Sequence, residues 1–171
     1  MQLKYLNKPH FENGAIKNIS KVLEEHGIKN PLICTDPGLS NIGMSDMIRD
    51  LLSNELSPSF YEDTPANPTE QAVNDALEIY KQNNCDGVIG FGGGSSMDLA
   101  KTVALMANHN GNVVDYSVNE GGVGKINQTM PMIAIPTTSG TGSEVSPGAI
   151  IIMNDGCLLY TSDAADEGLG V

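Results

Sequence analysis

The stretch Gly87-Val88-Ile89-Gly90-Phe91-Gly92-Gly93-Gly94-Ser95-Ser96-Met97-Asp98-Leu99-Ala100-Lys101 leaves few folds open to this chain. Residues 87–91 are apolar and bounded by glycine, as in a strand buried on both faces of a parallel sheet. Three glycines then turn the chain into a helix from Ser95 to about Asn108, on which Leu99, Val103 and Met106 share the inner face. Glycines without Cβ let an anion approach the backbone. The free N–H groups of the helix's first turn face it with the positive end of the helix dipole. The spacing is not GxGxxG, because residue 95 is Ser, and not a Walker loop, because no Gly-Lys-Ser/Thr follows. A purely structural account, a tight turn with Ser95 and Asp98 as a capping box, accommodates the same residues.

The rest of the chain repeats this alternation. Asn13 can cap a helix carrying Ile16, Ile19 and Leu23, with Gly27 as its stop, and Pro31 to Thr35 reads as a buried strand. Asp36-Pro37-Gly38 is a turn, Met44 to Leu52 a helix and Ser59 to Tyr61 a second strand. Thr69 can cap a helix with Val73, Ala76, Leu77 and Tyr80 inward, and further strands are expected at Met132–Ile135 and Ala149–Met153. Alternating strands and helices imply an α/β fold, an open and mostly parallel sheet with helices on both faces. Ligands of such sheets bind outside the carboxyl ends of the strands. At 171 residues, 40% of them hydrophobic, a single compact unit is expected.

Charge narrows the partners. A net charge of -12, with no basic run, excludes the phosphate-backbone recognition that nucleic acid or an anionic membrane surface requires. A phosphorylated ligand would have to be held by backbone N–H groups and helix ends. No apolar run approaches the roughly 18 residues needed to span a bilayer, and a soluble, cytoplasmic protein is expected. Cys34, Cys85 and Cys157 lie far apart and outside any CxxC spacing, so reduced thiols are expected. His10, His26 and His109 stand apart from one another, read as surface residues and suggest no local metal cluster.

A second run, Pro136-Thr137-Thr138-Ser139-Gly140-Thr141-Gly142-Ser143-Glu144-Val145-Ser146, follows the strand at Met132–Ile135. Its hydroxyls can donate to ring nitrogens, ribose oxygens or a carboxamide, and its glycines keep the wall thin. Asp36, at the end of an earlier strand, can accept from both hydroxyls of an adenine ribose and would repel a 2′-phosphate. An Asx turn before Pro37-Gly38 explains it equally well. Asn67, in Pro65-Ala66-Asn67-Pro68, is a turn residue unless the fold brings it to the ligand.

Taken together, Gly92-Gly93-Gly94-Ser95-Ser96-Met97-Asp98 with Ala100-Lys101, and Pro136 through Glu144, resemble the paired signatures of the iron-containing (group III) alcohol dehydrogenases. The resemblance spans roughly residues 5 to 155 and includes the turns at Thr35–Gly38 and Pro65–Pro68. It implies a Rossmann-like domain binding NAD(P), with Asp36 the main reason to expect NAD in preference to NADP, followed in the intact parent by a helical domain whose aspartate and three histidines hold Fe2+ or another divalent metal. That metal polarises the oxygen of a small alcohol or aldehyde substrate while hydride passes to or from the nicotinamide. By position the resemblance assigns Asp36 and Asn67 to the adenosine end. Gly93, Gly94, Ser95 and Asp98 go to the pyrophosphate and nicotinamide, and Thr137, Thr138, Thr141, Ser143 and Val145 to the second wall. Asp98 would repel a phosphate directly above it, so the phosphates are expected over Gly93, Gly94 and Ser95.

The family's metal-binding domain is expected to be missing, and this chain alone is expected to bind cofactor without turnover. Residues 1–156 are read as the dinucleotide-binding domain. Cys157 through Val171 reads as a non-native tail of the kind left by translated sequencing-adapter read-through; a genuine divergent tail with a short strand at Leu158–Tyr160 is the alternative. Two other readings stay open, a stand-alone nucleotide-binding module without catalysis and a glycerol dehydrogenase-like or dehydroquinate synthase-like enzyme on the same fold. The oligomeric state is open, a homo-oligomer included.

Overall fold

The computed structural model describes residues 8–154, 156 and 158–161. Four parallel strands form the main sheet in the order β2-β1-β3-β4: β1 Pro31–Cys34, β2 Ser59–Tyr61, β3 Gly87–Gly92 and β4 Met132–Pro136. Among the described residues five α-helices accompany them: α1 Ile19–Glu25, α2 Pro37–Asn41, α3 Met44–Leu51, α4 Glu70–Gln82 and α5 Gly94–Met106. The α/β fold with a parallel sheet is as expected. Among the described residues no helix is long and apolar enough to cross a membrane.

Side-chain alternation along the strands distributes the helices. Leu32, Cys34 and Val88 join one core with Val73, Ala76 and Leu77 of α4 and Leu99, Ala100 and Val103 of α5. Ile33, Ile89 and Phe91 join the other, with Ile19 and Leu23 of α1 and Ile48 of α3. β3 is buried at every position, which explains its unbroken apolar run. Gly90 sets how closely α5 approaches it: a Cβ there would lie 3.0 Å from each of Ala100 Cβ, Met132 Cε and Met97 Cα.

Several local expectations are corrected. Gly14, in the left-handed region, precedes a 3-10 turn at Ala15–Asn18 that runs into α1, so Asn13 is not the cap. Gly27 does end α1, with φ +70. Asp36-Pro37-Gly38 opens the short helix α2, because Pro suits a helix's first turn and Asp36 caps it. Thr69 caps α4 as expected, accepting from the Ala72 N–H at 3.1 Å. β5, Ala149–Ile152, does not join the parallel sheet. It pairs antiparallel with β6, Leu158–Thr161, and packs on α5.

His109 is half-buried and not a free surface residue. Its ring meets Tyr116 edge-on at 5.2 Å and its Nε2 accepts from the Asn127 N–H at 2.8 Å. That leaves the proton on Nδ1, 2.7 Å from the Leu105 carbonyl. His10 and His26 are exposed. Cys34 and Cys85 are free and buried, and burial, with Cys85 nearby as a lesser cause, pushes the Cys34 thiol far up from its ordinary range.

Candidate dinucleotide site

The two glycine- and hydroxyl-rich runs leave the sheet side by side. Gly92 at the end of β3 is the register partner of Pro136 at the end of β4, and the Thr137 N–H donates to the Gly92 carbonyl at 2.9 Å. Gly92 has φ +152, and a Cβ there would fall 2.5 Å from Ser96 Oγ, so the turn requires glycine on both counts. A Cβ at Gly93 would sit 3.5 Å from Thr138 Oγ1, and one at Gly94 would sit 3.4 Å from Thr141 Cβ. The second run therefore lies against the opening turn of α5. The amides of Gly94, Ser95 and Ser96 open that helix and have no intrahelical acceptor.

The capping box considered for Ser95 and Asp98 is absent. Gly93 is the N-cap, without a side-chain bond, and Ser95 Oγ instead donates to the Ala66 carbonyl at 2.5 Å. That bond brings the Pro65–Pro68 turn, with Asn67 exposed on it, to the same end of the sheet. Asp36 is there too. Its Oδ1 accepts from the Leu39 N–H at 3.1 Å, while its Oδ2 would be 3.3 Å from a Cβ at Gly92. Its capping role and its position beside the glycine turn are thus compatible, one oxygen serving each.

Asp98 lies deeper than the sequence suggests. Its Oδ1 accepts from Ser143 Oγ at 2.5 Å and from Lys101 Nζ at 3.3 Å, and its Oδ2 accepts from the Ile150 N–H at 3.0 Å. Lys101 also donates to Ser143 Oγ at 2.9 Å and to the Gly148 carbonyl at 2.7 Å. Burial pulls the Lys101 ammonium below its ordinary range, against the opposing influence of Asp98. Ser143 is buried in this cluster, whereas Thr137, Thr138, Thr141 and Val145 are exposed.

Sequence reasoning gave no role to Lys101 or Glu62. Lys101 was detectable in principle, since it stands one turn after Asp98 as the other charged residue of an apolar helix. Glu62 follows β2, next to the end of β1, and Ser40 Oγ of α2 donates to it at 2.8 Å. The neighbouring Ser45 and Ser40 hydroxyls hold its carboxyl below the usual range; only Ser40 makes a well-formed hydrogen bond, Ser45 Oγ being buried without one. Among the described residues no group of three or more His, Cys, Asp or Glu could hold a metal ion.

Known proteins share both the chain's sequence and its shape. It is 43% identical over 153 residues to the 4-hydroxybutyrate dehydrogenase of Cupriavidus necator, covering 89% of this chain and 40% of that protein. The NADH-dependent butanol dehydrogenase A of Thermotoga maritima superposes with a TM-score of 0.85 at 26% identity, over 96% of this chain and 42% of that one. The sulfoacetaldehyde reductase of Bifidobacterium kashiwanohense, solved in complex with NAD+, gives 0.78 at 28% identity, over 88% and 40%. The chain thus spans about two fifths of the relatives it matches. The iron-containing alcohol dehydrogenase model matches residues 7–162, and the chain belongs to that family.

Proposed function

We propose that this chain is the dinucleotide-binding part of an oxidoreductase that interconverts an alcohol with an aldehyde or ketone, using NAD in preference to NADP. One observation carries the reading: Thr138 and Thr141 lie against Gly93 and Gly94, at the glycine turn that opens α5. A pyrophosphate at that turn would be met by the amides of Gly94 and Ser95 and by the positive end of a 13-residue helix, without needing a cationic side chain. The threonine hydroxyls of residues 137, 138 and 141 supply donors and acceptors along the second wall, and Val145 adds an apolar contact. Asp98 and Ser143, hydrogen-bonded to each other, are assigned to the same site. Asp36 and Asn67 are assigned to the adenosine end, where the Asp36 carboxylate favours ribose hydroxyls over a 2′-phosphate.

When bound, the nicotinamide ring accepts or donates the hydride. The chain's own residues bind and orient the dinucleotide and keep one face of it against the protein. The metal that the family's description names has no ligand set among the described residues. We assign it, with the substrate pocket, to the remainder of a whole enzyme, and residues 1–156 to one cofactor-binding unit.

The test is a fluorescence titration of the purified chain with NADH and with NADPH. Saturable binding with NADH the tighter ligand, and no oxidation of alcohols by the chain alone, is the expected result. Failure of both nucleotides to saturate at millimolar concentration overturns the reading.

A further inference from the structure

We propose that Lys101 is a positioning residue that anchors the hydroxyl-bearing loop, residues 137–148, against α5 and so sets how closely that loop stands to the glycine turn. For its consequence in cofactor binding this rests on the function proposed above; the anchoring itself does not.

The loop is tied down at its start by the Thr137 N–H on the Gly92 carbonyl. Its middle carries Thr138 and Thr141, which face Gly93 and Gly94. Its far end needs a second tie, and Lys101 supplies it. One ammonium reaches Ser143 Oγ at 2.9 Å and the Gly148 carbonyl at 2.7 Å, 42 and 47 residues along the chain, and Asp98 at 3.3 Å on its own helix. The ammonium thus meets the Gly148 carbonyl on one hand and the hydrogen-bonded Ser143–Asp98 pair on the other. Both partners of the ion pair are largely buried, their side chains 14% and 15% exposed. Such a pair is weak evidence for stability, because desolvation offsets the attraction, but it specifies geometry when every donor and acceptor is used. Of these contacts, only the one from Lys101 reaches the Gly148 carbonyl. Asp98 completes the clamp by binding Ser143 and the Ile150 N–H.

The test compares the full chain with Lys101→Met, which keeps the side-chain volume and removes the ammonium. Two readouts are taken: amide hydrogen exchange of residues 138–150 against residues 87–92, and NADH affinity. Faster exchange in 138–150 with 87–92 unchanged, and NADH binding weakened about tenfold, roughly the loss of one charge-assisted hydrogen bond, is expected. Ser143→Ala, which removes one acceptor, should move both readouts the same way by less. Unchanged exchange in 138–150, or an equal loss of protection throughout the chain, overturns the proposal. Selective loosening of 138–150 with no NADH binding by either parent or variant upholds the anchor and overturns the cofactor reading instead.

Discussion

The Thr137 N–H donates to the Gly92 carbonyl at 2.9 Å, joining the first residue after β4 to the last residue of β3. This bond holds together the starts of two runs that lie 45 residues apart. It closes the parallel pairing at the carboxyl ends of β3 and β4, so the hydroxyl-rich loop starts beside the glycine turn.

Gly92 should therefore be intolerant of any side chain. Gly92→Ala places a Cβ against Ser96 at a backbone φ of +152. We expect a loss of about 2 kcal/mol in urea unfolding with an unchanged m-value, from the combined strain and clash. A variant as stable as the parent would mean that the turn can relax without cost.

Asp36 has two roles that can be separated. Asp36→Ser retains a side-chain acceptor for the Leu39 N–H and so keeps the cap on α2, but removes the charge. The preference for NADH over NADPH should narrow by about tenfold, with thermal stability nearly unchanged, since one lost charge contact near a phosphate is worth on the order of 1–2 kcal/mol. A fixed nucleotide ratio would remove Asp36 from the ribose site and leave it as a helix cap alone.

Much of this was legible in the sequence because the determinants are local. The buried strands declared themselves as short apolar runs between turn residues, and the glycines at 92–94 and the hydroxyls at 137–143 marked the carboxyl ends. The engagement of Asp98 was not legible. Its partners Ser143 and Ile150 are 45 and 52 residues away, and only the folded chain shows that its carboxylate is already bonded on both oxygens. The strand at Ala149–Ile152 was legible but its pairing was not. Ala149–Ile152 has the composition of a parallel strand, but its burial alternates, with Ala149 and Ile151 inward and Ile150 42% exposed, as one-sided packing on a helix demands. His109 was read as exposed because nothing nearby in sequence announces Asn127 and Tyr116.

Glu62 predicts a pH dependence. Its folded carboxyl is held below the ordinary value of 4.5 by the Ser45 and Ser40 hydroxyls. A carboxyl depressed in the folded state contributes stability that is present above the unfolded value and lost as pH falls through the folded one. Urea midpoints between about pH 3 and pH 7 should decline on the acid side, and Glu62→Gln should flatten that decline. An identical acid limb in the variant would show that the Ser40 contact does not distinguish the two protonation states.

The most direct measurement is amide hydrogen exchange of the chain with and without saturating NADH, read at residues 93–96 and 137–145 together. One dinucleotide held between two walls should slow exchange in both stretches over the same concentration range. Protection confined to one stretch, or absent from both, would contradict a shared site.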